Sequence, residues 1–98
     1  MPDEHGKHIT EALSGRFVAP LSDDERVEHE RARVLVRAVL SAYNGLIASE
    51  TDEARRRELE AERAVHTERF RRFAALSAEE RSEILRTYPE LLDRLRAE

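Results

Sequence analysis

At 98 residues the chain is long enough for one compact domain and too short for two. Its 17 basic and 21 acidic residues give a net charge of −4 and are interleaved along the chain, so no segment builds the positive field that phosphate binding needs, and nucleic acid is not an expected partner. Cysteine is absent, which excludes disulfides, thiolate chemistry and Cys-ligated metals. No 18-residue apolar run occurs, and Met1-Pro2-Asp3-Glu4-His5 is neither basic nor followed by an apolar stretch. The expectation is a cytoplasmic protein with no membrane span.

Sixteen of the 17 basic residues are arginine, a bias of codon usage more than of mechanism. Tryptophan is missing, so the core must be aliphatic, supplemented by Phe17, Phe70, Phe73, Tyr43 and Tyr88. Glycine and proline are scarce and placed as punctuation, which leaves the long middle of the chain free to be helical. Residues 1–21 divide from the rest. Within them Ile9, Ala12 and Leu13 share helical spacing before Gly15, and Phe17, Val18 and Leu21 around Pro20 predict an extended strap that packs on the rest of the chain or on a partner.

Ser22-Asp23-Asp24-Glu25 is a capping box, and it predicts a helix over about 25–48. Ser49 to Glu53 predict a turn, and a second helix follows over about 52–75 with an apolar stripe of Leu59, Val65, Phe70, Phe73 and Leu76. Ser77-Ala78-Glu79-Glu80 is a second capping box. Thr87-Tyr88-Pro89-Glu90 places proline as though in a new first turn, so two short C-terminal helices are expected, burying Ile84, Leu85, Leu91, Leu92 and Leu95. The fold class is all-α, with residues 22–98 forming a single helical-bundle domain around a long antiparallel hairpin.

The first helix carries more apolar surface than one neighbour can cover. At 100° per residue, Val34 to Ile47 present apolar side chains over roughly 240°, leaving Arg33, Arg37, Ser41 and Asn44 as a polar strip. Val34, Leu35, Ala38, Val39, Ala42 and Leu46 are placed to meet the second helix, whereas Val36, Leu40, Tyr43 and Ile47 point to a second side. Either the C-terminal helices fold back over that side or another chain covers it.

Four histidines are candidates for chemistry. His5 and His8 lack a third metal ligand of defined position, and His29 belongs to a mixed, solvated face. His66 lies near the apolar stripe with Glu62 one turn earlier, a pairing that fits a general base, a metal half-site or a structural hydrogen bond; an Arg37–Glu62 ion pair across the hairpin fits the structural case. Glu62-Arg63-Ala64-Val65-His66 is one residue longer than the Glu-x-x-His of two-helix ferritin-like metal centres. Tyr43-Asn44-Gly45 shares only three residues with the turn of secreted helical hairpins.

Phosphate loops, nucleophile elbows and His-Glu-x-x-His are missing, and the C-terminal region is acidic. The sequence therefore suggests a non-catalytic helical interaction module without cofactor or metal. It would be an accessory subunit of a larger complex or a homo-oligomer, with Val36, Leu40, Tyr43, Ile47, Phe17, Val18 and Leu21 meeting the partner. The alternative is a bundle that binds a metal or small ligand around Glu62, His66 and Arg37.

Overall fold

A computed structural model describes residues 20–98, which form three helices: α1 (Asp23–Ser49), α2 (Glu53–Arg71) and α3 (Ala78–Ala97). The helix expected within residues 8–14 and the strap residues Phe17 and Val18 lie outside the described residues.

Each helix begins where local chemistry satisfies its free amides. Ser22 Oγ accepts from Glu25 N at 3.1 Å while Glu25 Oε1 accepts from Ser22 N at 2.9 Å, so two otherwise unpaired donors are satisfied reciprocally. Ser77 and Glu80 repeat the arrangement at the head of α3, and the Asp52 carboxylate caps α2 by accepting from Arg55 N. The amides that Glu25 and Glu80 accept from hold both carboxyls below their ordinary range. At the far end of α1 the Ser49 hydroxyl donates back to the carbonyls of Gly45 and Leu46. Arg56 donates to the Glu50 carbonyl, which fixes the reversal into α2.

Cross-helix contacts give the chain direction. Tyr43 meets Glu62 and Asn44 meets Arg63 near the first turn, while His29 meets Phe73 far from it, so α1 and α2 are antiparallel. Arg72–Glu80, Arg69–Glu83, His66–Tyr88 and Arg55–Glu98 step along α2 and α3 in opposite senses. Arg81 lies beside Glu25 and Glu28, so α3 runs alongside α1 in the same direction. The hub is α1, which packs on both other helices, whereas α2 and α3 touch each other mainly through long polar side chains.

The core is a single cluster of Ala32, Val36, Val39 and Tyr43 from α1, Leu59 from α2, Phe73 from the connecting 3-10 turn (Phe73–Ala75), and Ile84, Tyr88, Leu92 and Leu95 from α3. Each large aliphatic among them contributes about 1.5–3 kcal/mol by leaving water. Several sequence expectations change here. Val36 and Tyr43, placed on a second side of α1, are buried within the chain's own core, where Tyr43 meets Glu62 and His66 of α2.

The two short C-terminal helices are one: α3 continues through Pro89, because Tyr88, Leu92 and Leu95 fall on the face that Ile84 begins and their burial carries the helix past the missing N–H. α2 stops at Arg71, where a 3-10 turn tightens the chain toward Ser77. Val65 is exposed on α2, about 100° or more away in helical spacing from the line of Leu59 and His66.

Candidate functional site

His66 is the centre of a polar group enclosed by all three helices. Its Nδ1 lies 2.6 Å from the Tyr88 hydroxyl of α3, and its ring stacks on Tyr43 of α1 with centroids 5.6 Å apart, while Tyr88 meets it edge-on at 5.2 Å. The Tyr43 hydroxyl donates to Glu62 Oε1 at 3.1 Å. Arg69 donates to the Tyr88 oxygen at 3.5 Å and pairs with Glu83 at 3.6 Å.

The Tyr88 oxygen joins His66 to Arg69. A guanidinium only donates, so the Tyr88 oxygen accepts from Arg69, and the direction of its short bond with His66 Nδ1 follows the imidazole tautomer. Burial, reinforced by the Arg69 charge, pushes the His66 pKa below its ordinary value of 6.5, against a smaller opposite pull from Glu62. Burial also pushes Tyr88 up, and burial together with the bond to Glu62 pushes Tyr43 up to about 12. Each hydroxyl stays protonated, and their bonds to Glu62 and His66 tie α1 and α3 to α2.

The sequence pairing of Glu62 with His66 is thus resolved through two tyrosines, with Glu62 also 3.7 Å from Arg55. Arg37 is not part of it: it is exposed, and its ion pair with Glu62 does not form. Tyr88, Arg69 and Glu83 are the members that sequence reasoning missed as a group. Tyr88 sits one turn after Ile84 on the same helical line, which is the signal that places it inside. Among the described residues no three His, Cys, Asp or Glu side chains gather in a way that would hold a metal ion, and no helix is long and apolar enough to cross a membrane.

A second buried polar group lies where α1 and α3 begin. Arg81 is only 5% exposed, between Glu28 at 3.7 Å and Glu25 at 3.8 Å. His29, expected on a solvated face, is half-buried against Phe73 with ring centroids 4.5 Å apart. The loop that brings Phe73 back over α1 covers it.

Of the residues expected to meet a partner, Leu40 and Ile47 are half-buried against the core, Leu21 is half-buried ahead of α1, and Val36 and Tyr43 are inside. The surface of α1 that remains uncovered is a different one. Val27, Val34, Ser41 and Ala48 recur every seventh residue, with Gly45 between the last two, so they form one exposed stripe on the side away from the core. Val27 is 60% exposed and Val34 56%, and a Cβ added at Gly45 would meet nothing within 4 Å. Arg31 and Arg37 flank this stripe, and neither meets an acid within 4 Å among the described residues.

Compared with known proteins, the chain matches no family model, no curated protein and no solved structure.

Proposed function

We propose that the chain is a non-catalytic helical interaction module, acting as an accessory subunit that assembles or completes a larger complex. The observation that supports this is the heptad-spaced stripe on the outside of α1, where two large apolar side chains and a run of small ones lie in water on the helix that anchors the whole bundle. Small residues at such a spacing let a second helix approach closely, and the flanking arginines favour acidic side chains on that helix. The His66 group supports the same reading from the opposite direction. Its Nδ1 is taken by the Tyr88 hydroxyl and its ring is packed against the two tyrosines, so it serves the scaffold.

The test compares full-length protein with Val34→Asp and, as a control of equal exposure on α2, Val65→Asp. Each is checked for unchanged helicity by circular dichroism, then used to capture proteins from a lysate of the native cell and weighed by light scattering. A protein or second copy bound by the wild type and by Val65→Asp, and lost with Val34→Asp, is the expected result. Association that survives Val34→Asp removes the stripe from the interface and with it this reading.

A further inference from the structure

We infer that the outer stripe of α1 is occupied by the same stripe of a second copy of this chain, the two α1 helices lying antiparallel about a two-fold axis that passes beside Val34. This rests on the reading of the stripe as an interaction surface and names its occupant.

A face that closes a symmetric dimer must match itself when reversed, and this one does. Val27 and Ser41 lie equally far on either side of Val34. In an antiparallel pair Val34 therefore meets Val34, and each exposed Val27 covers a Ser41 of the other copy, large on small. In the same register Asp23 falls opposite Gly45, where a Cβ would meet nothing within 4 Å.

The charges share that centre. Glu30 and Arg37 stand on one edge of the stripe, placed evenly about the junction of Arg33 and Val34, and an antiparallel two-fold sets like edges against each other. Each Glu30, paired with its own Arg33 at 3.7 Å, therefore faces an Arg37 of the other copy, which has no acid of its own within 4 Å among the described residues. Farther along that edge Asp23, bonded to Arg26, approaches the other copy's Asn44 and the Arg63 that donates to it at 2.7 Å. Asp24 and Arg31 stand on the other edge, where the register sets them against Ala42 and Ala38. Parallel helices would instead align their dipoles and crowd Asp23 and Asp24 of both copies at one end.

Size sets the strength. The exposed residues of α1 from Asn44 on one edge to Asp24 on the other span about 160° of a helix about 10 Å across, and overlap of residues 23–45 is about 34 Å long, or roughly 500 Å² on each copy. About 1,000 Å² in total is the size of a reversible contact, below that of a permanent one, so the dimer forms and dissociates with concentration.

Light scattering of the full chain from about 1 μM to about 1 mM should show a monomer–dimer equilibrium. Glu30→Arg and Arg37→Glu each set like charges against each other twice, and each should raise the dimer Kd at least about tenfold. The double swap Glu30→Arg/Arg37→Glu should restore it, a rescue that a role of either residue within one chain would not give. Direction is read by cysteines, which the chain otherwise lacks. When Val27→Cys and Ser41→Cys are mixed under mild oxidation, the mixed disulfide should form at least about tenfold faster than either like pair. A chain monomeric throughout, a double swap that fails to restore the dimer, or like pairs that close faster than the mixed one would each overturn the inference. The two proposals fail separately: a wild type monomeric throughout overturns the dimer even where Val34→Asp loses a captured protein, and a dimer that Val34→Asp leaves intact overturns the role of the stripe itself.

Discussion

Tyr88→Phe isolates the hydroxyl at the centre of the three-helix contact. The ring stays, so no cavity opens at a position only 3% exposed, and the change removes the bond to His66 Nδ1 and the acceptor for Arg69. Leaving a buried acceptor unpaired costs about 1–3 kcal/mol; His66 is half-buried, so water recovers part of this and the lower half of the range applies, about 1–2 kcal/mol. For a domain of this size that lowers Tm by about 4–8 °C for each kcal/mol.

Protonation of His66 gives a second readout at the same site. Because the folded pKa lies below the ordinary 6.5, the unfolded chain takes up the proton first, and stability is full above pH 6.5 and declines as pH falls below it toward the folded value. Burial, the largest cause of that lowering, is kept in Tyr88→Phe, so the decline persists in the variant. Urea unfolding followed by circular dichroism at about pH 7.5 and about pH 5.5, either side of the ordinary histidine pKa, measures both effects. A Tyr88→Phe variant as stable as the wild type at the higher pH would refute the contribution of this hydrogen bond.

Pro89→Ala restores an N–H to an exposed position inside α3 and should stabilise by about 1–3 kcal/mol, read as a higher urea midpoint, since proline in a helix interior costs about 3 kcal/mol relative to alanine. Ser77→Ala removes a cap and should cost about 0.5–2 kcal/mol. The Glu80 carboxyl is held low when folded chiefly by the Ser77 backbone amide, which Ser77→Ala keeps, so the stabilisation that is present at neutral pH and lost as pH falls through that lowered pKa should persist, and thermal melts from neutral pH down to about pH 3 should show a similar acid loss in Ser77→Ala and the wild type. Arg81→Met replaces a buried guanidinium, paired at long range to two half-exposed acids, with an apolar side chain of similar length. Thermal melts should show stability unchanged or raised by up to about 2 kcal/mol, and a loss beyond about 1 kcal/mol would mean that the ion pairs hold the two helix starts together.

The helix starts were legible because capping is local: Ser22 with Glu25 and Ser77 with Glu80 carry their whole geometry within four residues. The excess apolar surface of α1 was legible too, as a quantity. Which neighbour takes which part was not. Tyr43 faces α2 through Glu62 and His66, whereas the position of Glu28 beside Arg81 puts the Leu35–Ala42–Leu46 flank on the α3 side, and only tertiary packing distinguishes these arrangements.

Pro89 shows the converse failure. Thr87-Tyr88-Pro89-Glu90 reads locally as a new beginning, yet the burial of residues four and seven positions apart overrides a proline on the exposed side. His66 was singled out for its type, but its partners come from residues 22 and 23 positions away, beyond the range of any spacing rule.

The parallel course of α1 and α3 sends Leu21 and Glu98 to opposite poles of the bundle, with Glu98 held beside Arg55 at the α1–α2 reversal. The distance between those poles is set by the 27 residues of α1, about 40 Å. The bundle is thus a strut, and whatever is attached to one pole is held a fixed helix length from whatever is attached to the other.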